Sequence, residues 1–185
     1  MNRIFHHFIK IYSTVFCIGC VRYFPGSICS LFTSIIFYFF YIFFLKGFSY
    51  TNNIQLFFFT LKIFLSLAFW VACSCWIVQI YIKIFNPVEI DSKEIVIDEF
   101  IGQFFLNFLC FFIQIFFEIY FDENLILYLT ILFFLFRFFD ILKPWPIYII
   151  DNNYKNAFSI LLDDILAAIF AFIFFISYLL ILFQL

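Results

Sequence analysis

The chain has 185 residues, 67% of them hydrophobic and 12% charged, with a mean hydropathy of +1.14. Soluble domains carry about 25% charged residues, so this composition excludes a water-soluble globule and points to an all-α, multi-pass membrane protein. The formal net charge of −2, without any basic stripe, excludes a nucleic-acid partner.

The length fits one domain, residues 1–185. The 37 Phe, with abundant Ile, Tyr and Asn, reflect a compositional bias, so no individual Phe is given a functional meaning. A spanning helix needs about 20 predominantly apolar residues. The basic N-terminal stretch leads into Ile11–Val21, which is too short to cross and is expected at the interface. It carries no small-residue cleavage site of the kind that ends a signal peptide. The first spanning run is Tyr23–Leu45, with Pro25-Gly26 placed at its start because Pro is best tolerated in a first turn. Ile63–Ile82 is the second run and Phe100–Phe117 the third. Asn124–Phe136 is short and reaches spanning length only if Arg137 snorkels and the helix continues to about Leu142. Pro144 and Pro146 should stop that helix near Lys143, and Trp145 falls where an interfacial aromatic would sit. Ile165–Leu185 closes the chain. The expected architecture is four to five spans in one compact bundle.

Fourteen charged side chains lie in two short blocks, Lys83–Glu99 and Arg137–Asp164. Five crossings from a cytoplasmic N-terminus put Arg3, Lys10, Arg22, Lys83, Lys93, Arg137, Lys143 and Lys155 inside, and only Lys46 and Lys62 outside. Both blocks then share the cytoplasmic face, provided that Asn124–Phe136 crosses. Ionisable groups near a bilayer core cost at least ~2.5–3.5 kcal/mol on insertion scales, so they usually serve a function.

Asp98 and Glu99 immediately precede one span, and Asp163 and Asp164 are expected to precede the last. Carboxylates at helix N-termini are favoured by the dipole, so each pair alone reads equally well as a cap. Two pairs on one face, joined by Asp140, suit a hard cation such as Mg²⁺, since neither His nor Cys accompanies them. Arg137, Asp140 and Lys143 repeat at i, i+3, i+6, which keeps neighbours close on a helix. They form either an interfacial stripe with an internal ion pair or a phosphate grip, Arg supplying a bidentate fork and Lys a point charge. The histidines are His6 and His7 alone, both in the N-terminal tail, which excludes a His-based phosphatase or a Ser-His-Asp hydrolase. No Cys is followed six residues later by Arg, and no Gly-rich phosphate loop occurs. Cys17 and Cys20, like Cys73 and Cys75, lack the further ligands that a metal or redox site requires.

The segment R-x-x-D-x-x-K-P-W-P-I (Arg137–Ile147, followed by Asp151) resembles the phosphatidylglycerophosphatase A family, as do I-V-I-D-E-F-I-G (Ile95–Gly102, with Asp91 and Glu94 upstream) and L-D-D-I-L-A (Leu162–Ala167). A weaker match is P-G-S-x-x-S, Pro25–Ser30, with Gly19 upstream. The resemblance implies a Mg²⁺-requiring bacterial inner-membrane phosphatase that converts phosphatidylglycerophosphate to phosphatidylglycerol at the cytoplasmic surface. On that reading Asp98, Asp140 and Asp164 are catalytic. Arg137 and Lys143 bind the substrate phosphate, and Asp98, Glu99, Asp163 and Asp164 hold the metal. A metal-activated water and an aspartyl nucleophile both remain open. The chain departs from the family pattern at Tyr148, at Asn156, Ala157 and Ser159, at Ala168, and at Cys29 and Arg22, mostly by loss of Gly. The competing classes are a transporter, which needs charges deep within the spans and on both sides, and a non-catalytic membrane scaffold.

Overall fold

The computed structural model describes residues 3–45, 53–85, 92–117, 124–153 and 156–183. The described residues form helices and turns, without a strand. Helix α1 (Arg3–Ser13) is short, and a single 3-10 turn follows at Ile18–Cys20. Helix α2 (Pro25–Phe40) has Pro25 in its first turn, as the sequence predicts, and winds on through a π-helical end to Leu45. Helices α3 (Asn53–Phe85), α4 (Ile97–Phe117), α5 (Leu125–Leu142), α6 (Ile147–Asn153) and α7 (Ala157–Phe183) complete the chain. Among the described residues, four stretches are long and apolar enough to cross a membrane: Pro25–Leu45, Phe58–Phe85, Leu125–Leu142 and Ala157–Ile181. The short run after Asn124 does extend to Leu142, giving an 18-residue helix.

Helix α4 packs against α2, α5 and α7 and forms the centre of the bundle. Ring contacts fix the directions. Tyr41 near the end of α2 meets Phe111 near the end of α4, so α2 and α4 run parallel. Phe64 early in α3 stacks on Phe112 late in α4, and Tyr128 early in α5 meets Phe175 late in α7, so both these pairs are antiparallel. The starts of α2, α4 and α7 and the finish of α5 therefore gather at one end. Lipid tails are as apolar as Leu, so close van der Waals packing rather than exclusion of water holds such helices together. Small residues permit it here: Ala167, Ala168 and Ala171 of α7 are fully buried, and a Cβ on Gly102 of α4 would meet the Asp164 carbonyl at 3.1 Å. Ala168 is thus small enough for its place.

One expectation is corrected. Asp163 and Asp164 do not precede the last helix but lie seven and eight residues into it, because α7 begins at Ala157. The start is set by Asn156, whose Oδ1 accepts the Ser159 N–H at 2.9 Å while Ser159 Oγ accepts the Asn156 N–H at 3.1 Å. This reciprocal pair satisfies two backbone donors at the helix end, in the manner of a capping box. The two side chains thereby build the cap that starts the helix, and the two carboxylates fall beyond the four free N–H groups of its first turn. Asn156→Ala should destabilise the protein by about 1 kcal/mol. That corresponds to a Tm lower by roughly 2–4 °C, measured by thermal unfolding in detergent micelles.

Candidate active site

The first turn of α4 carries Asp98 and Glu99, where the helix dipole favours negative charge. Two turns into α7, Asp164 faces them. One ligand oxygen from each of Asp98, Glu99 and Asp164 lies within 4.8 Å of the other two. Asp98 and Asp164 are buried, at 7% and 4% exposure. Glu99 Oε2 and Asp164 Oδ2 are buried and have no hydrogen-bond partner among the described residues. Two carboxylate charges at this separation repel by about 3–4 kcal/mol at an effective dielectric constant of ~20. Asp140, near the end of α5, is close enough to add its own charge to Glu99 and Asp164. Three carboxylates therefore share one point, with a fourth, Asp140, beside them.

One guanidinium faces them. Arg137 Nη1 lies 2.5 Å from Asp140 Oδ2, one helical turn away, and 4.0 Å from Glu99 Oε1. Its Nε is buried without a hydrogen-bond partner among the described residues. Lys143 leaves the stripe that the i, i+3, i+6 spacing suggests. It caps α5 in the left-handed conformation, at φ 41°, where Pro144 ends the helix, and its Nζ donates to Asp163 Oδ2 at 2.6 Å. The chain thus gathers Asp98, Glu99, Asp164, Asp140 and Arg137 in one centre. Asp163, grouped with the metal ligands on sequence, instead neutralises Lys143 beside that centre. Glu94 accepts a hydrogen bond from the Tyr81 hydroxyl at 2.9 Å, away from the cluster. Asp91 and the side chain of Asp151 lie outside the described residues.

The donor set is hard oxygen, crowded and under-neutralised, and two of its buried oxygens are unsatisfied. These features fit a hard divalent cation. Asp98, Glu99 and Asp164 are the residues that could hold it.

Sequence reasoning gave too little weight to several supporting residues. Gly26, at the start of α2, lies against the Glu99 carboxylate, and a Cβ there would collide with it and come within 3.1 Å of the Arg137 guanidinium. Its P-G-S context marked it only weakly. Cys29, fully buried, donates its Sγ to the Val96 carbonyl at 3.1 Å and ties α2 to the residue before α4. Gln103 and Asn107 continue the Glu99 face of α4 inward at i+4 and i+8, joined by a 3.0 Å hydrogen bond from Gln103 Nε2 to Asn107 Oδ1. Both are fully buried. A Q-x-x-x-N pair inside an otherwise apolar helix was the signal available for them.

Fold and site together define a multi-pass helical membrane protein with a buried acid-and-guanidinium centre at one end of its bundle. Residues 11–179 match phosphatidylglycerophosphatase A, and the chain belongs to this family of phosphatases. A curated relative, the phosphatidylglycerophosphatase A of Haemophilus influenzae, is 61% identical over 41 residues. That segment is 22% of this chain, and the chain spans only about a quarter (25%) of that relative's length. No solved structure matches the chain.

Gly26→Val should push Glu99 and Arg137 apart and weaken binding of a divalent cation by at least ~10-fold, the lower range for disturbed supporting residues of a metal site. Isothermal titration of the purified protein with Mg²⁺ or Mn²⁺ checks it, with unchanged secondary structure by circular dichroism as the control.

Proposed function

We propose that the chain hydrolyses the terminal phosphomonoester of phosphatidylglycerophosphate, releasing phosphatidylglycerol and phosphate, with Mg²⁺ as its cofactor. The observation that carries this reading is the three-carboxylate cluster facing a buried guanidinium, within a chain of this family. The whole chain acts as one catalytic domain in the bacterial inner membrane, its centre turned to the cytoplasm. The Lys and Arg bias toward one side supports that orientation.

Asp98, Glu99 and Asp164 would hold the cation, which when bound would offset charge on the phosphate and lower the pKa of a water. Arg137 receives the phosphate. Its fork matches two phosphate oxygens, and its Nε, without a hydrogen-bond partner among the described residues, is a donor for one of them. Asp140 holds Arg137 in place through their ion pair, so the guanidinium spends little conformational freedom on binding. Lys143 brings the second positive charge to the phosphate, and Asp163 positions its ammonium. In the reaction the water oxygen bonds to phosphorus and gives up a proton, the P–O bond to glycerol breaks, and the leaving glycerol oxygen takes up a proton, so that one water is consumed and phosphate and phosphatidylglycerol are released. Asp98, Asp140 and Asp164 are the carboxylates we assign to catalysis.

The carboxylate cluster, Arg137 and the Lys143–Asp163 pair gather at one end of the bundle, whereas a transport path would carry such groups on through the spans.

Phosphate release from phosphatidylglycerophosphate in detergent micelles should require Mg²⁺ and stop in excess EDTA. Asp164→Ala, folded and inserted, should lose at least ~10²-fold in turnover, as expected for removal of a group that stabilises the transition-state charge. Near-normal turnover of that variant rules out the metal assignment. Arg137→Lys should recover only a small part of the activity lost in Arg137→Ala, because an ammonium lacks the planar fork.

A further inference from the structure

The interior of the bundle is unevenly filled around α4. Between α4, α5 and α7 the space near Asn107 and Phe175 amounts to about 20 Å³, room for a single water. On the opposite side, a groove of about 450 Å³ opens between α2 and α3, with α4 as its floor. Its walls include Phe40 and Phe44 of α2, Phe59 and Ser66 of α3, and Phe104 of α4, with Trp70 at one end. Helices α2 and α3 scarcely pack against each other among the described residues, which leaves the groove open to the side. Its volume lies within the range of ligand pockets and far above ordinary packing voids.

The groove offers nothing polar. Ser66, its one hydroxyl, donates to the Ile63 carbonyl at 2.8 Å, and the Trp70 indole N–H donates to the Tyr12 hydroxyl at 3.0 Å. It lies among spanning segments, where the surrounding medium is hydrocarbon, so its occupant is a hydrocarbon chain. Position selects which one. Phe104 is five residues along α4 from Glu99, ~7.5 Å of helix rise. Phe59 is eleven residues along α3 from Trp70, a further ~16 Å toward the other end. A lipid with its headgroup at the carboxylates has chains that descend ~15 Å, half the hydrocarbon thickness, and so enter the upper half of this groove.

We infer that the groove between α2 and α3 is the acyl-chain site for the phosphomonoester lipid whose headgroup reaches Asp98, Glu99 and Asp164. This rests on the proposed function for the identity of that headgroup. The acyl chain is held by dispersion contacts with the Phe side chains and Trp70, and the site therefore favours long-chain over short-chain substrate.

Trp70 reports on the groove directly. In the Trp76→Phe, Trp145→Phe chain it is the only indole left, since the protein has 3 Trp. Reconstitute this chain in phosphatidylcholine vesicles with Mg²⁺, which the carboxylate cluster needs before it accepts a phosphate, and record the signal before turnover consumes the substrate. Add phosphatidylglycerophosphate with brominated acyl chains, or brominated phosphatidylcholine at the same mole fraction. The brominated substrate should quench Trp70 fluorescence at a several-fold lower mole fraction, and Ser66→Phe, which fills the groove, should abolish that difference. Equal quenching by the two lipids overturns the inference, with any lipid chain then filling the groove. Phosphate release is measured alongside, from dioleoyl and dihexanoyl substrates. The ratio of their kcat/KM values should fall at least fivefold in Ser66→Phe, and an unchanged ratio also overturns it. Selective quenching without any phosphate release leaves the groove standing and removes the phosphatase reading; release with equal quenching does the reverse.

Discussion

Three carboxylates held around one point at the end of a helical bundle, with a fourth beside them, form the constraint on which the rest of the structure depends. Removing ions from water costs several kcal/mol each even after relaxation, and like charges at this spacing add to that cost. The fold meets the demand by converging four helix ends. The first turn of α4 contributes its dipole to Asp98 and Glu99. Helix α5 contributes Arg137, and α2 contributes Gly26, whose missing side chain lets Glu99 and Arg137 approach. Asp164, two turns into α7, has no dipole to help it and depends on what the other helices bring.

Close packing supports this convergence. Gly102 and the buried alanines of α7 draw the α4 and α7 backbones together, so Asp164 reaches the first turn of α4. The Asn156–Ser159 cap sets where α7 starts and so which residues reach that level. Lys143 and Asp163 neutralise each other beside the centre. The centre proper keeps an excess of negative charge, the condition under which a hard cation binds and a phosphate can then be accepted next to Arg137.

The two sides of α4 have different tasks. Toward α2, α5 and α7 its surface is filled by side chains down to the Gln103–Asn107 pair. Toward α3 it is left open. A lipid enzyme needs a polar centre for the headgroup and a dry path for the chains within one molecule, and in this bundle both are built on the same helix. The short α1 supports the arrangement from outside, its Tyr12 joining Trp70 and Ser74 through hydrogen bonds of 3.0 and 2.6 Å.

Composition and the spacing of apolar runs were enough to establish the helical membrane class, the order of the long helices though not where α3 and α7 start, and the role of Pro25 and Pro144 at helix ends. The charged motifs also marked the site in outline, because an ionisable group in an apolar chain stands out against its neighbours. Local pattern could not say which carboxylates meet. Asp163 and Asp164 are adjacent in sequence yet point to different partners, since neighbours on a helix are turned by about 100°. Asn156 and Ser159 read as lost glycines until their side chains were seen closing on each other's backbone. Gly26, Gln103 and the groove between α2 and α3 depend on distances between helices, which sequence does not carry. The sequence by itself determined what kinds of groups are present and on which helices they ride; only the tertiary structure decided which of them share a point in space, because that follows from how closely the backbones pack.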